Sequence, residues 1–329
     1  MADTAADRGA TAQAPTQAEL SQIYKKTLRR QTWNRAIRLR SFYGLTLSAL
    51  VLLIIFKYLP MWGVSISFVD YSYFKGLFGS PWNDFEHFRR LFNDVFFLRI
   101  FRNTVVFALL RMAIAFPAPI ILALLLNELR ATGYKRVVQS ISYLPHFMSW
   151  VVLSGIIREV ISPTRGAVGY IFTLLGWEPI NWLTLTPIFR YFIVGVDIWQ
   201  SVGWGTIIYL AALSSIDPGL YESAAIDGAN RWKQAIHITL PGLVPVITVL
   251  FLLRVGNLIE SGFEQIWVFY SPVVYEVADV FETYMLREGI IGGRYDYTTA
   301  IGLFQNVVGI VLLVIGNQII RRYNEYGVW

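Results

Sequence analysis

The sequence predicts an all-α fold, a polytopic membrane protein with six transmembrane helices. Three observations predict it. Of 329 residues, 55% are hydrophobic and only 15% charged, where a soluble domain carries about a quarter. The mean hydropathy is +0.49. The apolar residues gather into segments of about 20 or more, the length that crosses a hydrocarbon core. The basic residues cluster in alternating connections, which sets orientation because Lys and Arg accumulate on the cytoplasmic side. Such loops account for the net charge of +6, so the charge is no argument for nucleic acid. With no cysteine, disulfides, thiol catalysis and Cys-ligated metal are excluded.

The elements follow in order. Residues 1–42 form a cytoplasmic region. Its first residues, MADTAADRGATAQAPTQ, lack the apolar core of a signal peptide and read as a disordered tail. Over 17–40, Tyr24, Leu28, Trp33, Ile37 and Leu39 are interspersed with Lys25, Lys26, Arg29, Arg30, Arg35, Arg38 and Arg40. That pattern predicts an amphipathic helix on the inner membrane surface, anchored to anionic lipid; contact with a partner subunit is the alternative. The membrane domain covers 43–322. Its spans are expected at Tyr43–Phe68 (interrupted by Lys57 and Pro60), Asn103–Leu126, Val138–Ile161, Ile188–Leu213, Pro241–Phe263 and Thr299–Ile320. The apolar stretch Gly166–Leu185 contains Gly166, Gly169, Gly176, Glu178 and Pro179. It reads as a loop with a short interfacial helix. Residues 323–329 are a C-terminal segment.

Arg130, Lys135 and Arg136 follow span two, and Arg321 and Arg322 follow span six. With the basic N-terminal segment, they place both termini inside. By alternation, loops 69–102, 162–187 and 264–298 face outward and 214–241 faces inward. That inward loop is strongly polar, with Glu222, Asp227, Arg231, Lys233 and His237. Asp217-Pro218 predicts an N-cap and first helical residue, and Gly228 is placed to turn the chain in a left-handed conformation. A second helix is expected over Asn230–Ile238, with span five starting at Pro241. Physics alone leaves two readings open: an ordinary inter-span hairpin, or a compact knob that docks into a groove of another protein.

Charge within a span is costly and by default a functional-site hypothesis. Arg111, Asp197 and Arg254 all fall near mid-membrane at a rise of about 1.5 Å per residue. They are expected to face one polar cavity or each other, the plain alternative being an ion pair of Asp197 with one Arg. Helical spacing puts Gln200 and Trp204 on the face of Asp197, and Asn257 and Ser261 on that of Arg254, with Glu260 somewhat off it. No metal site is expected. His146 and His237 have no second ligand at suitable spacing, and the neighbour of His87, Glu86, diverges on any helix or strand. No catalytic constellation is present, and no Gly-rich phosphate loop ending in Gly-Lys-Ser/Thr, which argues against an ATPase in this chain.

Glu222-Ser223-Ala224, then Gly228, then nine residues and Ile238-Thr239-Leu240-Pro241, resembles the EAA loop of ABC-importer permeases, with Ser223 in place of the first Ala. Phe56-Lys57-Tyr58-Leu59-Pro60-Met61, Gly79-Ser80-Pro81-Trp82, Asn127-Glu128, Ser142-Tyr143-Leu144-Pro145-His146-Phe147 and Gly262-Phe263-Glu264-Gln265 resemble the branch for complex oligosaccharides. Within it, the chain is most similar to the larger permease subunits of bacterial alginate importers. The resemblance covers roughly residues 45–320 and implies a type I ABC-importer permease in a bacterial inner membrane, with 214–241 forming a coupling helix that enters a cleft of the ATPase. It assigns that contact to Glu222, Ala224, Ala225, Asp227 and Gly228. It further implies a second permease subunit, two ATP-binding cassette subunits that carry the ATP and magnesium, and a periplasmic solute-binding protein outside. The cargo would be an acidic oligosaccharide. Its pathway would draw on Arg111, Asp197, Gln200, Trp204, Arg254, Asn257 and Glu260, since arginine suits a carboxylate and aromatic faces suit sugar rings. A secondary transporter not coupled to an ATPase is the rival reading, but no internal repeat marks one.

Overall fold

The computed structural model describes residues 24–26, 35, 38–129, 131–260 and 262–323. Most of the amphipathic helix expected over 17–40, and residues 324–329, lie outside them. The structure separates into two compact units, Met1–Gly63 and Val64–Trp329. Helix α1, Arg40–Phe68, belongs mainly to the first and continues into the second.

The second unit is helical. Its main elements are α2 (Glu86–Asn93), α3 (Phe97–Glu128), α4 (Thr132–Phe147), α5 (Trp150–Val160), α6 (Ala167–Leu174), α7 (Thr186–Leu213), α8 (Pro218–Ile226), α9 (Arg231–Gly256), α10 (Phe263–Phe269), α11 (Tyr275–Ala278), α12 (Phe281–Met285) and α13 (Tyr295–Tyr323). The described residues contain no β-strand, only an isolated bridge between Val69 and Trp82. Five of the described helices are long and apolar enough to cross a membrane, and the bent pair α4–α5, taken as one broken span, makes six. The expected loop helix within Gly166–Leu185 is α6.

Wider turns explain why the long helices pass their prolines without breaking. Proline lacks the N–H that a helix needs and presses on the carbonyl one turn back. In α1, α3 and α9 a wider π turn ends two residues before a proline: Tyr58 before Pro60, Ala115 before Pro117, and Thr239 before Pro241. Each π turn loosens the ladder where the misfit would fall. This corrects the division expected at Pro241, because Arg231 to Gly256 is one helix rather than a short helix followed by a span. That helix also ends earlier than the Phe263 expected. Gly256-Asn257 is a weak helical pair; the chain turns at Asn257, and Gly262, at φ +68°, starts α10.

Span three is the other departure. The chain bends by 109° between α4 and α5. Pro145 sits in a tight 3-10 turn, and Ser149 caps α5 by accepting a hydrogen bond from the Val152 amide at 3.4 Å. Apolar length hid both signals.

Three apolar clusters hold the second unit together. Near the α3–α4 connection, Ile120, Ala123, Tyr209, Leu213 and Leu243 join α3, α7 and α9. Toward the other end, Phe107, Phe189, Ile193, Ile266 and Phe269 join α3, α7 and α10. There too, Leu91, Ile100, Phe281, Tyr297 and Ile301 join α2, α3, α12 and α13. Small residues let helices approach closely, the usual device where no water drives packing. A Cβ on Gly203 of α7 would run into the Ser142 carbonyl of α4. Gly203→Ala is therefore expected to push α4 off α7 and destabilise the protein by about 1–3 kcal/mol. A thermal melt in detergent, with Gly195→Ala as control because a Cβ there meets nothing within 4 Å, checks this.

Candidate functional site: a capped helical knob and a buried ion pair

The polar loop before α9 is built from local caps. The Asp217 side chain accepts a hydrogen bond from the Gly219 amide at 2.9 Å, and Pro218 follows as the first helical residue. At the other end of α8, the Ala229 amide bonds to the Ala224 carbonyl at 2.8 Å and the Gly228 amide to that of Ala225 at 3.1 Å. With Gly228 at φ +73°, this is a Schellman closure, which needs a residue free to adopt the left-handed region. The Asn230 side chain then caps α9 by accepting from the Lys233 amide at 2.9 Å. Tyr221 meets Thr239 at 3.0 Å and seats α8 on α9. Arg231 donates to Glu128 at 2.7 Å, so the knob lies at the same end as the α3–α4 connection.

Of the residues named for this loop, Glu222, Ala225, Asp227 and Gly228 are exposed, and Ala224 is half-buried against the body. Glu222 and Asp227 meet no cation among the described ion pairs. Two residues that the resemblance did not assign stand out: Ile226 is 87% exposed and Trp232 74%. An apolar tip flanked by unpaired carboxylates is a surface fit for a protein groove. The exposed Ile at the last position of α8 was readable once Gly228 had set the helix end.

In the spans, the structure pairs two of the three charges. Arg111 lies on the π turn of α3, buried, with Nε 3.4 Å from Asp197 of α7. It also donates to Gln265 of α10 at 2.7 Å, and Gln265 in turn donates to the Ile193 carbonyl at 2.7 Å. Gly262 leaves room for the guanidinium, which any side chain there would strike. Arg254 is exposed, with no hydrogen bond or ion pair among the described residues, though its charge bears on Arg111. Gln200 is buried in α7; Trp204, 46% exposed, instead stacks on His146 at 4.8 Å. Asn257 and Glu260 are exposed in the turn beyond α9, so the helical stripe expected to join Asn257 to Arg254 does not exist. Ser261 lies outside the described residues. Gln265 is the missed member of the cluster: nothing local in the sequence points it at Arg111.

At the far end, a cavity of about 570 Å³ opens between α10, α12 and α13, with Glu282, Thr298 and Asn306 on its wall. Beside it the 264–298 connection is pinned through Asp279, which is fully buried. Arg99 and Arg287 reach its carboxylate at 3.1 and 2.8 Å, and Tyr270 donates to it at 2.6 Å. Asn103 donates to the Glu276 and Asp279 carbonyls, both at 2.9 Å, and accepts from Arg190 at 2.6 Å. His87, expected to lack metal-binding neighbours, faces two carboxylates, Asp70 and Asp296.

Residues 115–325 match the family described as binding-protein-dependent transport system inner membrane component. The chain is 40% identical over 319 residues to the polygalacturonan/rhamnogalacturonan transport system permease protein YteP of Bacillus subtilis, covering 97% of this chain and 99% of that one. It is 42% identical over 299 residues to Protein LplB of the same organism, covering 91% and 94%. Two crystal structures of a bacterial ABC transporter for alginate contain a similar chain, 40% identical in each. One, of the importer of this acidic polysaccharide, superposes with a TM-score of 0.81 over 89% of this chain and 99% of that one. The other, in complex with an alginate pentasaccharide-bound periplasmic protein, gives 0.82 over 90% and 99%.

Proposed function

The chain belongs to the family of binding-protein-dependent transport system inner membrane components, and from that premise we propose that it carries acidic oligosaccharides inward by ATP-driven alternating access. It is a multi-pass permease of the ABC-importer type for sugars or polysaccharides, a transport subunit rather than an enzyme. In the proposed assembly it pairs with a second permease. Two ATPase subunits, which hold the ATP and magnesium, bind below, and a periplasmic binding protein delivers cargo from above. Both termini and the knob then lie in the cytoplasm. The observation that carries the coupling role is the knob itself, rigidly capped at both ends yet apolar and exposed at its tip. Nucleotide-driven closure of the ATPases would push on this knob and switch the bundle between outward- and inward-facing states.

The acidic cargo is supported by the uronate polymers named for the similar chains and by Arg254. Because Asp197 and Gln265 already engage Arg111, Arg254, in the last turn of α9, is the guanidinium left to meet a substrate carboxylate. A hydrogen bond to a charged group contributes about 1.5–3 kcal/mol. In proteoliposomes, Arg254→Ala is therefore expected to weaken uptake of uronate oligosaccharides about tenfold or more and to leave neutral oligosaccharides unaffected. Equal uptake of uronates by the variant and the natural protein, at equal assembly, would remove Arg254 from the pathway.

A further inference from the structure

We propose that Asp70, His87 and Asp296 bind one divalent transition-metal ion, zinc or manganese, at the end of the protein opposite the knob. The three side chains come from distant parts of the chain: the connection after α1, the helix α2 and the head of α13. Their nearest ligand atoms all lie within 4.8 Å of one another. His87 Nε2 is 3.8 Å from Asp70 Oδ1 and 3.5 Å from Asp296 Oδ2, and it donates a hydrogen bond to the Val69 carbonyl at 3.2 Å, a proton that a bound metal would displace. A tetrahedral zinc with bonds of about 2.0–2.1 Å holds its ligand atoms roughly 3.3–3.4 Å apart. The pairs with His87 therefore need to close by only a few tenths of an ångström, with Val69 or a water in the fourth place.

Orientation and charge support the assignment. Asp296 is fixed from both sides, accepting from the Tyr71 amide at 3.3 Å and the Tyr297 amide at 2.8 Å. Outer hydrogen bonds of this kind aim first ligands at a metal. His87 is buried, whereas the Asp70 side chain is 63% exposed and leaves a way in. Among the described ion pairs, neither carboxylate meets a lysine or arginine. An imidazolium would offset one of the two negative charges, while a divalent ion offsets both. The imidazole ligand favours zinc over calcium or magnesium, which prefer oxygen alone, and the two carboxylates also admit manganese. The bound ion would tie the connection after α1 to the head of the last span and stiffen the surface between them.

The test is a titration of the full-length protein, purified in detergent and stripped with a chelator, with zinc, manganese or calcium chloride. One saturable site per chain for zinc or manganese is expected, abolished in His87→Gln and weakened about tenfold or more in Asp70→Asn. Asp70 is exposed, so that second variant keeps its fold, which gel filtration verifies. Absence of a saturable site, a site that takes calcium but neither zinc nor manganese, or unchanged binding in both variants would overturn the assignment.

Discussion

Asp279→Ala is expected to be the most destabilising single change in the half of the protein that holds the 264–298 connection. It removes one carboxylate that serves Arg99, Arg287, Tyr270 and Thr283 from a fully buried position. Breaking a buried charge pair from one side costs about 3–5 kcal/mol, because the partner charge stays behind without compensation. Here two guanidinium groups are left. Burial and the Asp279 carboxylate push the Tyr270 phenol well above its ordinary range, so Tyr270 remains protonated and donating. Burial opposes the charge of Arg287, but its hydrogen bond and attraction to Asp279 outweigh that and hold it charged. In the variant that attraction is gone while the burial that opposes the Arg287 charge remains. A fall in melting temperature in detergent, with faster proteolysis between residues 264 and 298, is the expected readout. A melt indistinguishable from the natural protein would mean that the apolar clusters hold this loop unaided.

Gly228→Val is expected to abolish ATP-driven uptake while the membrane body stays folded. A β-branched residue at φ +73° is strained by about 1–3 kcal/mol, and escaping that strain breaks the closure through Ala224 and Ala225. The tip carrying Ile226 is then re-aimed. No atom lies within 4 Å of a Cβ at this position, so the effect comes from backbone conformation and not from crowding. Gly228→Asn, which tolerates the left-handed region, is expected to retain most activity. The measurements are co-purification of the ATPase subunit and ATP-dependent uptake in vesicles. Full uptake by the valine variant would show that the knob's aim does not matter to coupling.

Much of this protein was readable in the sequence, and the parts that were not share a cause. The helical class, the spans and the shape of the knob rest on hydrophobic length and on contacts a few residues apart. Asp217 reaches Gly219, Asn230 reaches Lys233, and Gly228 closes on Ala225. Span three, expected over Val138–Ile161, is bent by 109°, and Pro145 and Ser149 carry the local marks of that break. Span five was drawn too long: its helix ends at Gly256, before Asn257.

The pairings of charge were of another kind. Helical spacing brought Arg111, Asp197 and Arg254 to one depth, but could not say that Asp197 would meet Arg111, with Gln265 completing the group from 154 residues away in sequence. Nor could it bring Asp296 to Asp70 and His87. A cap or a turn is an interaction of the chain with itself over a few bonds, and the order of residues determines it. Which arginine is neutralised, and which is left exposed, depends on how α3, α7, α9 and α10 pack, and only the folded bundle decides that.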